Sequence, residues 1–119
     1  MTTHLTYDRD LALRVGYEAT DWTTPIAFED YANSVKDWTM QAIMRNGECI
    51  GAVFRHNDEL HVSILPKWRK IWATKNLLRE LFNAPRVTTR VTNGHDHMYD
   101  ILARLGFKLQ PDGLLVKEM

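Results

Sequence analysis

The feature that most constrains this chain is a change of hydrophobic period around one proline, in the stretch LHVSILPKWRKIWATKNLLRELF from Leu60 to Phe82. Leu60, Val62 and Ile64 alternate as in a half-buried strand, with Leu65 adding apolar bulk on the opposite face. Pro66 has no backbone N–H to donate, so the ladder must stop there. Beyond it the apolar residues fall at helical spacing, Trp68, Ile71 and Trp72, then Leu78, Leu81 and Phe82, which predicts a helix opening at Trp68. A strand that feeds a helix sets unpaired N–H groups, and the positive end of the helix dipole, beside its own carboxyl end. Anions are the natural ligands of such a junction. Lys67, Arg69, Lys70 and Lys75 crowd the same turn, either as solvated surface charge or as phosphate ligands.

A chain of 119 residues is long enough for one hydrophobic core, so a single domain spanning 1–119 is expected. Hydrophobic content of 45% with 25% charged residues is ordinary for a soluble globular protein, and it excludes both a disordered chain and a disulfide scaffold. Cys49 is the one cysteine, so no intrachain disulfide can form, and a buried, small apolar role is expected for it. No apolar run approaches the roughly 18 residues of a membrane span, and MTTHLTYDRD lacks a signal peptide's apolar region; a cytoplasmic location without a membrane partner is expected. The net charge of +0 conceals an asymmetry. Asp8, Asp10, Glu18, Asp21, Glu29, Asp30 and Asp37 lie in the first third, and most basic residues come later. Two solvated faces account for this, as would an acidic surface that repels nucleic acid or folds over the basic turn.

Taken in order, His4 to Tyr7 reads as an edge strand, and Asp8 offers an N-cap to a helix containing Leu11, Leu13, Val15 and Tyr17. Thr24-Pro25 opens a second helix, with Ile26, Phe28, Tyr31, Ala32 and Val35 as its apolar stripe, ending near Lys36 and Asp37. From Trp38 the period becomes two, with Met40, Ala42 and Met44 on one face and Gln41, Ile43 and Arg45 on the other. Asn46-Gly47 then signals a type I′ hairpin into a strand from Glu48 to Arg55. There Ile50, Ala52 and Phe54 alternate with Cys49, Gly51 and Val53, as in a strand covered on both faces. His56, Asn57 and Asp58 turn the chain into the strand that ends at Pro66, which completes an antiparallel meander. After the central helix, Arg86 to Thr92 is a β-branched strand expected to return parallel by a right-handed crossover. Asn93-Gly94 closes it; His95 to Leu105 is a short helix with Met98, Ile101, Leu102 and Leu105 inward and Gly106 as its C′ residue. Phe107 to Leu109 and Leu114 to Lys117 form a last hairpin around Pro111-Asp112-Gly113.

This β-α-α-β-β-β-α-β-α-β-β order resembles the GNAT superfamily of N-acetyltransferases. Two segments carry the resemblance: ILPKWRKIWATKNLLREL is similar to the family's cofactor-binding segment, and HMYDILARLGFKL to its closing helix and strand. It covers roughly residues 38 to 117. The fold it implies is a mixed α+β domain, with a central mixed sheet of about six or seven strands and about four helices. The activity implied is transfer of an acetyl or other acyl group from acetyl-CoA to an amine on a small molecule or protein. In the family's loop pattern, Arg/Gln, two residues, Gly, one residue, Gly/Ala, Arg69 fills the first place, while Trp72 and Thr74 stand where the two small residues should be. The glycine lets backbone N–H groups reach the pyrophosphate, and an indole in its place would occupy that channel unless rotated away.

Carried over by position, Ile64 and Leu65 would pair with pantetheine, and Arg69, Lys70, Ile71, Trp72, Ala73, Thr74 and Lys75 would surround the phosphates. His95 aligns with an asparagine common near the start of the last helix. The family's thiolate-protonating tyrosine falls on Leu102; Tyr99, one helical turn earlier, could substitute only in a shifted helix. An amine at neutral pH must lose a proton before it attacks a thioester, so a general base is needed. Glu59 and His61, at the start of the central strand, are the candidates, either as base or as plain surface residues.

Other chemistries fit less of the sequence. His95, Asp96 and His97 lack a second ligand cluster, so no metal site is expected, and Asp96 reads better as an N-cap. Cations interleave with aromatics from Lys67 to Lys75, as nucleic-acid contacts would require, but Trp68 and Trp72 share one expected helical stripe and read as core. The compact size and altered loop are also similar to small GNAT-like proteins of tailed bacteriophages. That resemblance implies a second class: an interaction module without cofactor, in the host cytoplasm or the virion, with a phage or host protein as partner.

Overall fold

The computed structural model describes residues 3–20, 24–91 and 96–118. Strand β1 (Thr3–Thr6) is followed by helices α1 (Arg9–Ala19) and α2 (Phe28–Ser34), then strands β2 (Thr39–Arg45), β3 (Glu48–His56) and β4 (Glu59–Ile64). Helix α3 (Lys75–Leu81), strand β5 (Arg86–Thr89), helix α4 (His97–Arg104) and strands β6 (Lys108–Leu109) and β7 (Leu115–Glu118) complete the chain. This is the element order the sequence implied. The strands form one mixed sheet in the order β1-β2-β3-β4-β5-β7-β6. Each neighbouring pair is antiparallel except β4 and β5, which the crossover through α3 makes parallel.

Asn46 and Gly47 both take positive φ, 54° and 78°, as a type I′ turn requires. Further along, the alternation expected of β3 breaks. Ile43 stands opposite Gly51 but Met44 opposite Cys49, so Ile50 is an extra residue, a β-bulge. Ile50 therefore joins Val53 on one face, and Cys49 joins Ala52 and Phe54 on the other. Gly51 permits the crowding: a Cβ there would lie 2.5 Å from the Ser63 carbonyl oxygen. Cys49 is half-buried rather than buried, and burial pushes its thiol pKa up.

Each face of the sheet carries its own core. On one, Ile43, Ile50, Val53, Leu60, Ile64, Val87 and Leu115 meet Leu77, Leu78 and Leu81 of α3 and Leu102 of α4. Phe82 and Phe107 close that core edge to face, 4.9 Å between ring centres. On the other, Met40, Ala42, Ala52 and Phe54 lie under Ala12 and Tyr31 from α1 and α2. The inward stripe of α1 is Ala12, Val15, Gly16 and Ala19 instead of the larger Leu11, Leu13 and Tyr17, because the helix comes very close to the sheet. A Cβ on Gly16 would lie 2.6 Å from the Phe54 ring. Asp8 caps α1 as expected, accepting from the Leu11 N–H at 3.1 Å.

Helix α2 begins at Phe28, not at Thr24-Pro25. The Tyr17 hydroxyl donates to the Ile26 carbonyl, which ties the preceding segment to α1 in extended form. It ends at Ser34, short of Lys36 and Asp37, where the Arg9 guanidinium takes the carbonyls of Val35, Lys36 and Trp38. Helix α4 begins at His97; Asp96 stands before it without capping it, and His95 and the Asn93-Gly94 turn lie outside the described residues. Its far end behaves as expected. Gly106 takes a φ of 100°, and the Phe107 N–H reaches the Leu102 carbonyl at 3.0 Å, a Schellman closure.

Burial pushes the Tyr31 phenol up from 10.0 to about 12. The folded state thus resists an ionisation that the unfolded chain undergoes near pH 10. Its contribution to stability is whole below that pH and is lost as pH climbs toward the folded value, by up to about 2–3 kcal/mol. Urea unfolding across that alkaline interval should show the fall, and Tyr31→Phe should flatten it.

Candidate functional site

The site is positioned by the one parallel pair. Strands β4 and β5 are bridged at a single register position, Glu59 opposite Thr88. The Thr88 N–H also donates to the Asp58 carbonyl at 2.7 Å. Past this point the ladder stops: β4 continues to Ile64 but β5 ends at Thr89, which leaves a notch along the edge of β4 where, among the described residues, no strand pairs with it on that side. Its vertex is at Glu59, and its open end lies at Ile64 and Leu65.

A loop, not a helix, fills the open end. Pro66–Trp68 form one turn of 3-10 helix, and α3 starts only at Lys75. The expectation of a helix from Trp68 is corrected here, for a local reason. Thr74 serves as N-cap, its hydroxyl accepting from the Leu77 N–H at 3.3 Å, so the regular helix can begin no earlier. The loop is anchored outside by the β2–β3 hairpin: Trp68 donates from its indole to Glu48 at 3.3 Å, and Arg45 donates to the Ile71 carbonyl at 3.3 Å. Arg45 and Lys67 both lie over the Trp68 ring, at 5.6 and 5.2 Å.

Within this loop Trp72 is 5% exposed and belongs to the α3-side core. The indole that replaces the expected glycine is thus turned inward. Among the described residues, the backbone N–H groups of Lys70, Ala73, Lys75 and Asn76 make no hydrogen bond within the chain. Lys70 and Lys75 are exposed cations beside them. Unpaired amides, flanking cations and an indole withdrawn from the surface suit a phosphate-bearing ligand. Arg69 is committed elsewhere: it donates to the Ile64 carbonyl at 3.0 Å and to the Ala19 carbonyl at 2.9 Å, tying the end of β4 to the end of α1. Ile64 is buried, and the half-buried Leu65 donates its N–H to Ile50 at 2.9 Å.

At the vertex, Glu59 and His61 come together. His61 Nε2 lies 2.5 Å from Glu59 Oε2, on side chains 34% and 45% exposed. Both leave β4 on the face opposite Leu60 and Ile64, and His61 stands across from Phe54. Alternation along the strand puts them there. Tyr99 does not join them in any hydrogen bond: it is 37% exposed on α4, while Leu102 is in the core. No group of three metal-ligating side chains occurs among the described residues. Nor, among them, is any helix long and apolar enough to cross a membrane.

Two neighbours of this pair were not singled out in the sequence. The Trp38 ring lies 5.5 Å from His61 and 5.3 Å from His56. Counting back from the Asn46-Gly47 turn without a bulge sets Trp38 opposite Arg55. The extra residue at Ile50 moves His56 into that place.

No family model matches the chain, and no curated protein matches it in sequence. Solved structures do match in fold. A protein provisionally described as a phosphinothricin N-acetyltransferase is 14% identical, with 99% of each chain covered and a TM-score of 0.76. The ribosomal-protein-S18-alanine N-acetyltransferase of Escherichia coli is 13% identical, with 98% of this chain and 94% of that one covered and a TM-score of 0.68. The PaiA N-acetyltransferase of Thermoplasma acidophilum, solved in complex with coenzyme A, is 15% identical over 100% of both chains, with a TM-score of 0.62. The chain has the fold of the GNAT N-acetyltransferases.

Proposed function

We propose that this protein is an acyl-CoA-dependent N-acyltransferase that moves an acetyl or similar group from a CoA thioester to a primary amine. The observation that carries the reading is the notch between β4 and β5, with an amide-bearing loop at its open end and a carboxylate–imidazole pair at its vertex. The amides of Lys70, Ala73, Lys75 and Asn76, with the Lys70 and Lys75 side chains, would take the pyrophosphate. The edge of β4 near Ile64 and Leu65, where Arg69 holds the Ile64 carbonyl, would receive the pantetheine arm. Arg69 then acts as a strut that fixes the loop rather than as a phosphate ligand.

With Nε2–H donated to Glu59, His61 keeps a lone pair on Nδ1 and can take the proton of the acceptor ammonium. The neutral amine attacks the thioester carbonyl, a C–N bond forms, the nitrogen gives up a proton to solvent as the C–S bond breaks, and the thiolate leaves to be protonated. Tyr99 would supply that proton only after a shift of α4, so solvent is the simpler donor.

A second reading has an observation in its favour: Trp72 and Thr74 replace both small residues of the loop pattern, and each has a structural duty, core and cap. On that reading the scaffold has lost its cofactor and serves as an interaction module of the phage-like, virion-associated kind. Release of free thiol from acetyl-CoA, followed with a chromogenic disulfide, separates the two. The enzyme reading expects release that needs both acetyl-CoA and a primary amine; none across an amine series leaves the module.

A further inference from the structure

The row of side chains at the vertex extends beyond the base. Trp38, just before β2, His56 at the end of β3 and Glu59 at the start of β4 lie side by side, with His61 two residues further along β4 on the same face. The indole of Trp38 is tilted 34° to the His56 ring and 50° to that of His61. It is half-buried, its inner side packed on the α1–α2 core. Its backbone is held from behind: its carbonyl accepts from Arg9 at 2.6 Å, and its N–H donates to the Val35 carbonyl at 3.0 Å. Asp58, next to Glu59, is taken by Arg86 at 2.7 Å, which leaves Glu59 as the carboxylate facing this row.

We propose that Trp38 and His56 form the acceptor-recognition wall of the site, and that the acceptor is a primary amine carrying an aryl group two or three bonds from nitrogen. The chemistry rests on the acyltransferase reading; the recognition does not. An ammonium group needs an anion, which Glu59 supplies. A flat indole edged by imidazoles offers a polarisable surface, and an aryl group gains more from it than an alkyl group of equal area does. The Trp38 ring lies only 5.5 Å from that of His61, so an aryl group on the indole needs no more than a short link to reach the Glu59–His61 pair with its nitrogen. Arg9 is a positioning residue, since it fixes the carbonyl of Trp38 without reaching the acceptor.

The test uses the full chain without coenzyme, following the imidazole C–H resonances of His56 and His61 by NMR. 2-Phenylethylamine should saturate their shifts at about one-tenth the concentration that n-butylamine needs, the size of one good aromatic contact. A short peptide with N-terminal phenylalanine, in a third arm, tells a peptide source of the same chemistry from a free amine. Trp38→Ala should erase the preference while the His4 and His97 resonances stay in place. Should that variant fold poorly, Trp38→Leu keeps the apolar inner contact and removes the aromatic face. Equal affinity for phenylethylamine and butylamine, or a preference that survives Trp38→Leu, overturns the proposal. Preference without thiol release from acetyl-CoA would refute the acyltransferase reading alone.

Discussion

Trp72→Ala is expected to cost about 3–5 kcal/mol of folding stability, the usual loss when a large buried aromatic is truncated. The indole is 5% exposed in the core that holds Leu77, Leu78, Leu81 and Phe82, so its removal leaves a cavity there. For a domain with roughly 5–15 kcal/mol in hand, that is a third or more of the total. Trp72→Gly should be worse still and should not improve coenzyme binding, because the indole stands in the core and not at the mouth of the loop. Urea unfolding of both variants measures this. A Trp72→Ala loss below about 1 kcal/mol would mean that the side chain is surface.

His61→Asn should lower kcat/KM for the amine by about 10²–10⁴-fold at neutral pH, the range expected when a general base is lost. Glu59→Gln should cost less, since its amide oxygen still accepts from Nε2 and keeps the imidazole oriented, although the anion facing the acceptor's ammonium is lost. The His61→Asn deficit should shrink as the pH approaches the acceptor's own pKa, because more of the amine then arrives already deprotonated. Steady-state rates at neutral and alkaline pH test both parts. An equal deficit at the two would show that His61 does not take the proton.

The architecture was readable because its signals are local and redundant. Asn46-Gly47 fixed one hairpin, Pro66 ended one strand, and Gly106 stopped one helix; each is a backbone demand that no distant contact has to supply. Boundaries were less legible where tertiary contacts decide them. The start of α3 was displaced from Trp68 to Lys75 because Trp68, Ile71 and Trp72 have helical spacing without belonging to one regular α-helix: after the 3-10 turn Trp72 packs inward from the loop and Trp68 is tied to Glu48. The start of α2 moved because Tyr17 holds Ile26.

For the site, the pairing of Glu59 with His61 followed from period-two alternation, which sets residues two apart on one face. The commitment of Arg69 to the carbonyls of Ile64 and Ala19 was hidden, because Ala19 lies 50 residues away in the chain. Trp38 was hidden more simply. One bulged residue at Ile50 shifts every pairing beyond it, and nothing in the composition of β3 announces the bulge except Gly51.

The central claim is that the segment from Lys70 to Asn76 presents its free amides to a CoA thioester across the notch of β4 and β5. Thermal or urea unfolding with and without acetyl-CoA tests it most directly. A ligand at about 100 times its dissociation constant should raise stability by about 2.7 kcal/mol. An unchanged unfolding transition at millimolar acetyl-CoA would contradict the account and leave this chain with the acetyltransferase scaffold alone.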